Sequence, residues 1–226
     1  MRKKVISFLI AGVVVLILGF VSTPARSELS LGVLGGYYSP NFGKINDDLE
    51  EDFNTPYGTV LGFTGTMMYG LTLGYDLPGR FGLRLEYGSF ESKTSDAVSE
   101  TEDLWEQRVD IDCKVTVRPL LLCLTYGPSP FYLGAGVGSF STEAEDTFTY
   151  ELYHDGSLVD SEFDTRSDSD RPSGLMLLVG FRFGTKPTFL NLELRYVVNT
   201  KAKLEDVETE VDLSGLQFSL LGGLKF

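Results

Sequence analysis

The last fourteen residues, from Leu213 to Phe226, constrain the fold of this chain more than any other stretch. At a period of two, Leu216, Phe218, Leu220, Leu224 and Phe226 share one face. Gln217, Ser219, Gly223 and Lys225 share the other, with Leu221 among them. Such a strand, ending abruptly on an aromatic, needs a partner along both edges. In hydrocarbon that partner must be another strand, because each unpaired N–H or C=O costs several kcal/mol. The segment therefore reads as the closing strand of a transmembrane β-barrel, provided the chain supplies the other strands and a route to the membrane.

The N-terminus supplies the route. Arg2, Lys3 and Lys4 precede an uncharged, mostly apolar run from Val5 to Val21, and Ala25-Arg26-Ser27 places small residues where a signal peptidase cuts. The expected organisation is a signal peptide over 1–27 and one barrel domain over 28–226. A retained membrane helix is the rival reading, since about 20 apolar residues suffice to span. No cysteine follows the run, so a lipid anchor is not supported.

Alternating strands fill the rest. Leu29, Leu31, Val33 and Tyr37 share a face in the first strand. Odd residues from Phe63 to Tyr75 do so in the second, and Phe81, Leu83, Leu85 and Tyr87 in the third. The fourth strand begins near Trp105, and Val109, Ile111, Cys113, Val115 and Val117 alternate there with charged residues. Pro119 interrupts that alternation and reads as a bulge at which the face slips by one residue. The fifth strand starts at Phe131, the sixth spans Leu175 to Phe183, the seventh Leu190 to Val198, and the terminal strand is the eighth. Short Pro/Gly turns at 77–80, 127–130 and 184–187 follow the second, fourth and sixth strands.

Long acidic connections follow the odd strands. The segments 39–62, 91–108, 141–172 and 199–212 carry net charges of −4, −4, −8 and −3 against −13 for the whole chain. Acid is thus concentrated in these four segments, which a solvated surface explains without a ligand. Ile45, Leu49 and Phe53 mark a short helix in the first loop. His154-Asp-Gly-Ser157 marks a type I′ turn in the third, expected to extend the fifth and sixth strands above the membrane. Long loops on one side and tight turns on the other are the signature of an all-β, eight-stranded, antiparallel, up-and-down transmembrane β-barrel. Tyr37, Tyr38, Tyr75, Tyr87, Trp105, Phe131, Tyr196 and Phe226 fit the interfacial girdles of such a barrel.

Gly127-Pro-Ser-Pro-Phe-Tyr-Leu-Gly-Ala-Gly-Val-Gly138, the segment from Lys44 to Leu49 and the terminal Leu224-Lys-Phe226 together resemble the small outer-membrane β-barrel proteins of the OmpA/OmpW type. The resemblance implies a Gram-negative-type outer membrane reached through the periplasm, and lipid and lipopolysaccharide as surroundings. It also implies that the C-terminal aromatic is read by the barrel-assembly machinery. Leu224 and Phe226 would form that assembly signal, although Leu224 stands where the family has a second aromatic.

Alternation places ten charges in the lumen: Arg84, Glu86, Arg108, Asp110, Asp112, Lys114, Arg182, Glu193, Arg195 and Lys225. An eight-stranded barrel has room for little beyond its own side chains. These charges must pair, either as a structural plug or as the lining of a narrow conduit. His154 is the sole histidine and has no catalytic or metal-binding company in the sequence, so neither an enzyme nor a cofactor is expected. The acidic loops could attract Ca²⁺ or Mg²⁺ but show no fixed ligand spacing. Cys113 and Cys123 lie about 30 Å apart if both belong to one strand, and face each other if Pro119 is instead a hairpin turn. Nothing in the pattern points to nucleic acid, and a monomer is expected. The function expected is structural or interactive, with passage of small or hydrophobic molecules possible. The alternative is surface adhesion or envelope stabilisation through the acidic loop 141–172.

Overall fold

The computed structural model describes residues 28–43, 46, 62–77, 80–102, 104–184, 187–198, 200–204 and 209–226. Residues 1–27, expected as a signal peptide, and Ile45, Leu49 and Phe53 of the expected helix lie outside them. Ten strands form in chain order: β1 (Glu28–Asn41), β2 (Thr66–Leu77), β3 (Phe81–Glu102), β4 (Trp105–Tyr126), β5 (Phe131–His154), β6 (Ser157–Asp170), β7 (Ser173–Phe183), β8 (Thr188–Val198), β9 (Lys201–Leu204) and β10 (Thr209–Lys225). All pairings are antiparallel, and β1 meets β10 to close the ring β1-β2-β3-β4-β5-β7-β8-β10. Eight strands therefore close the barrel, while β6 and the four-residue β9 stand off the ring, paired to β5 and β10. The terminal strand finds the two partners it requires, β1 on one side and β8 on the other.

An apolar belt circles the ring. Its outward residues include Leu31 and Val33 on β1, Tyr69 and Leu71 on β2, Leu133 and Val137 on β5, Leu177 and Val179 on β7, and Phe218 and Leu220 on β10, all exposed. Exposed apolar faces on every strand of a closed ring have one stable environment, a bilayer. The belt covers 29–37, 67–75, 81–87, 120–126, 131–137, 175–183, 190–196 and 216–224, with the tight turns at one end and the long connections at the other.

Above the belt β3, β4, β5 and β6 continue as one sheet. The stretch expected as a polar loop over 91–104 is in fact the upper half of a long β3–β4 hairpin. The expected Asp-Gly turn forms between β5 and β6, with Asp155 at φ 49° and Gly156 at φ 72°, the two positive values a type I′ turn needs. The last acidic loop also contains a small hairpin, β9 with the start of β10, so the terminal strand begins at Thr209 and not at Leu213.

Pro119 is not a point of slippage. The β4–β5 register runs unbroken from Trp105↔His154 through Pro119↔Phe140 to Tyr126↔Leu133. Odd residues of β4 therefore point inward along its entire length, and Ile111, Cys113, Val115 and Val117 are buried. They join Tyr38, Phe42, Phe63, Phe90, Phe140, Ala144, Ala202, Leu204, Val211 and Leu213 in an apolar core that sits above the membrane. Phe63, placed by alternation with the outward residues of the second strand, packs in this core against Phe42 with ring centroids 5.4 Å apart. Polarity inverts at the membrane edge for a simple reason. Below it the outer face meets lipid and the inner face can be polar. Above it the outer face meets water, so the apolar residues must turn inward. Each fully buried Val or Leu there is worth about 1.5–3 kcal/mol.

Two expected girdle residues move accordingly. Tyr38 is buried, packs edge-on against Phe90 with centroids 4.8 Å apart, and its hydroxyl donates to the Leu213 carbonyl. Trp105 stands at the tip of the β3–β4 hairpin, fifteen residues above Leu120 and so about 50 Å along the strand. Both cysteines are free and buried on the inner face of the one strand β4.

Candidate functional site: the lumen

The inner face of the belt carries a compact ionic cluster. Arg84 and Glu86 project from β3, Glu193 and Arg195 from β8, and these strands stand diametrically opposite in the ring. Arg84 donates from Nη1 and Nη2 to the two Glu193 carboxylate oxygens at 2.7 and 3.0 Å. Arg195 donates from Nη1 and Nη2 to the two oxygens of Glu86 at 2.7 and 3.2 Å. Both bridges are bidentate, the strong geometry for guanidinium and carboxylate. Arg195 Nε donates to Glu193 at 2.7 Å, and Arg84 lies against Glu86, so the four side chains form a closed ring of two cations and two anions. The Arg195 side chain is 0% exposed.

Tyr132 of β5 completes the cluster by donating its hydroxyl to Glu193. It reaches the carboxylate across Gly180 of β7, its register partner. A Cβ at position 180 would lie 2.2 Å from the Tyr132 ring, so only glycine admits this crossing. Gln217 and Ser219, opposite Arg195 and Glu193 in the β8–β10 ladder, bond to each other at 2.6 Å and fill the remaining side. Full pairing is what makes four buried charges tolerable, because removing water from each costs several kcal/mol.

Towards the tight turns, Asp76 accepts from Lys225 Nζ at 2.6 Å and lies 3.8 Å from Arg182, whose guanidinium sits 5.3 Å from the Tyr132 ring centroid. Between this mouth and the cluster lies a space of about 30 Å³ lined by Thr72, Asn191, Arg84 and Thr125 among others. That volume is enough for about one water. Thr72 Oγ1 and Asn191 Oδ1 are buried beside it without a protein partner.

Of the ten charges expected inside, the structure gathers Arg84, Glu86, Glu193 and Arg195 at mid-height and Arg182 and Lys225 at the lower mouth. The other four are not in the lumen. Arg108, Asp110, Asp112 and Lys114 lie on the outer face of the extracellular sheet, because the unbroken register at Pro119 turns odd residues inward and even residues into water. Arg108 pairs with Asp110 at 3.2 Å and Lys114 with Glu145 at 2.6 Å. Leu224 and Phe226 are outward and exposed, and the Phe226 amide donates to the Leu29 carbonyl at 2.8 Å. Tyr132, Asp76, Gln217 and Asn191 belong to the lumen but were not singled out by charge alternation. Asp76 is the inward residue directly before the first tight turn, and Tyr132 lies on the inward parity of the fifth strand; both positions were signals available in the sequence. Among the described residues no group of His, Cys, Asp and Glu could hold a metal ion.

A closed antiparallel ring with an apolar belt, tight turns at one end and long connections at the other defines a small outer-membrane β-barrel protein. No protein-family model and no curated protein sequence matches the chain. Among solved structures it is similar to OprG from Pseudomonas aeruginosa, with 16% identity and a TM-score of 0.45 over 89% of this chain and 96% of that one. It is similar to the attachment invasion locus protein Ail of Yersinia pestis, with 14% identity and a TM-score of 0.43 over 89% of this chain and 100% of that one. Neisserial surface protein A is similar at 12% identity and a TM-score of 0.41 over 89% of this chain and 100% of that one. The barrel stands on its own ring closure and belt, independently of these likenesses.

Proposed function

We propose that the protein is a lumen-closed outer-membrane barrel that anchors a tall extracellular sheet, and that its role is contact at the cell surface. The observation that carries this reading is the pair of bidentate Arg–Glu bridges across the barrel diameter. They occupy the axis with side chains at most 10% exposed, and above them the bore continues as packed apolar core. A lumen filled at both levels favours display over conduction. Planar-bilayer recording of the refolded protein tests it, together with a variant whose β5–β6 hairpin is shortened between Asp146 and Arg166. The reading requires negligible conductance, and loss of surface binding in a shortened variant that still folds.

A second reading, passage of hydrophobic molecules, has one observation in its favour. The β3–β4 ladder lacks pairings between Gly88-Ser89 and Arg118-Pro119, at the upper edge of the belt. Proline offers no N–H there, and the interior behind is apolar, with Phe90, Val117 and Met68. Uptake of an apolar solute lost in a deletion strain and restored by the gene would support it.

The exposed Leu224 and Phe226, on a terminal strand that closes against β1, suit recognition by an assembly machinery before closure. Replacing Phe226 by Ser would then slow insertion in cells without altering refolding in detergent. The belt fits lipid and lipopolysaccharide as surroundings.

A further inference from the structure

A groove of about 700 Å³ opens on the outer face where β8, β10 and β1 leave the membrane. Its cause is a step in the β1–β10 ladder. Pro40 pairs with Gly215 but Asn41 with Asp212, so Leu213 and Ser214 have no partner on β1. Such a bulge bends its strand and breaks the even surface of the sheet. Leu213 turns into the extracellular core, and the residues flanking the step line the groove. The register holds that lining on one surface. Tyr196 of β8 pairs with Leu216 of β10, and Leu216 with Ser39 of β1, forming one row across three strands. Phe218 and Tyr37 pair in the row beneath, and all five side chains are exposed on the outer face. Beyond them, away from the belt, stand Asn41, Asp212 and Ser214. Asp212 Oδ1 accepts from the Ser214 amide at 2.9 Å and Oδ2 from Asn41 Nδ2 at 3.3 Å. The carboxylate is thereby fixed, and each of its oxygens keeps a further lone pair. Among the described residues no lysine, arginine or histidine lines the groove. Lys201, the partner of Asp212 in the β9–β10 ladder, is paired with Glu210 at 2.7 Å.

We propose that this groove binds the sugar headgroup of a glycolipid in the outer leaflet. The sugar seats against Tyr37 and Tyr196, its hydroxyls meet Asn41, Asp212 and Ser214, and its acyl chains lie on Leu216 and Phe218. A sugar ring offers C–H faces to aromatic rings and hydroxyls to fixed carboxylate and amide groups. An apolar wall with a few convergent polar groups is the make-up of a ligand site, and about 300–1,000 Å³ is its usual size. Position commits the ligand to the membrane. The lower half of the groove belongs to the apolar belt and the upper half to water, so the occupant must join a chain to a hydroxyl-rich head. A phosphate head is disfavoured, because it would meet Asp212 with no lining cation to offset the repulsion. The site lies outside the lumen and is independent of whether the barrel conducts.

Native mass spectrometry of the refolded barrel tests the site. The protein is released from polyoxyethylene micelles holding equimolar monoglucosyl diacylglycerol, phosphatidylethanolamine, phosphatidylglycerol and diacylglycerol, all of one chain length. The glucosyl lipid is expected to be retained about fivefold or more over each of the others, the value of a single net hydrogen bond. Millimolar maltose, which has the sugar without the chains, leaves that retention unchanged. The preference is lost in Tyr196→Leu and in the Asn41→Ala, Asp212→Ala double variant. It survives in Tyr196→Phe, which keeps the ring, and in Tyr75→Leu at the opposite end of the belt. Folding of each variant is checked by heat-modifiable gel migration, and Tyr196→Leu, which keeps the belt apolar, decides if the double variant does not fold. Equal retention of the four lipids, preference for either phospholipid, displacement by maltose, or an undiminished preference in Tyr196→Leu overturns the site.

Discussion

Arg195 Nη1 lies 2.7 Å from Glu86 Oε2, although the two residues project from strands on opposite sides of the barrel. A single hydrogen-bonded pair thus spans the lumen, and its twin, Arg84 with Glu193, does the same beside it. Removing one partner of a fully buried pair leaves the other charge uncompensated, a loss of about 3–5 kcal/mol. Glu86→Gln and Arg195→Met are each expected to lower the urea midpoint of the refolded barrel by that order. The Glu86→Gln, Arg195→Met double variant should lose less than the sum of the two, with at least about 1 kcal/mol of coupling. Additive losses would show that the pair does not act as a unit.

Gly180 and Tyr132 yield a second prediction. A Cβ at 180 would lie 2.2 Å from the tyrosine ring, so Gly180→Ala should destabilise the barrel by about 1–3 kcal/mol. In a Tyr132→Ala background the same substitution should cost almost nothing, since the clashing ring is gone. Thermal unfolding followed by gel migration measures both, and an equal penalty in the two backgrounds would sink the crossing as the reason for the glycine.

The polarity inversion at the membrane edge is testable on one strand. Val115 points into the extracellular core and Lys114 into water, one residue apart. Val115→Asp should open the extracellular sheet to protease cleavage between 141 and 172 while the belt keeps its heat-modifiable migration. Lys114→Ala should leave protection within experimental error, because an exposed ion pair such as Lys114–Glu145 is worth about 0–1 kcal/mol.

Most of the architecture could be read from the chain. Eight strands, their inward and outward faces in the belt, the alternation of long and short connections and the Asp-Gly hairpin all follow from period-two patterning and turn chemistry. Arg84, Glu86, Glu193 and Arg195 were identifiable because they interrupt belt strands whose other face is lipid-soluble. The extracellular half was harder. Val109 to Val117 alternate with charges just as a membrane strand does, and the pattern itself does not say which face is inside. Counting parity from Leu124, Leu122 and Leu120 straight through Pro119 would have turned the charges outward; the assumed slip there hid it. Pairing between Arg and Glu across the barrel depends on how eight strands stagger, which no local pattern encodes.

Cys113 carries a pH prediction. Burial, and then the negative charge of Asp146 beside it, push its thiol up to about 12. In the unfolded chain the thiol titrates near about 8.5. Between these values the unfolded state holds fewer protons than the folded one, so stability falls as pH rises. It should not change on this account below about pH 8.5 and should decline from there towards pH 12. Cys113→Ala should remove that part of the decline when the two unfolding curves are subtracted, and identical slopes would contradict the burial of the thiol. A thiol reagent at pH 7.5 should leave both cysteines unmodified in the folded barrel and label both after unfolding.

The closed lumen is tested most directly by single-channel recording of the refolded wild-type protein beside its Arg84→Ala, Arg195→Ala variant. With Glu86 and Glu193 paired across the diameter to these arginines, the wild type is predicted to give no resolvable steady conductance, and the variant, once folded, to give brief cation-selective openings. A steady ohmic conductance in the wild type, unchanged in the variant, would contradict the plug.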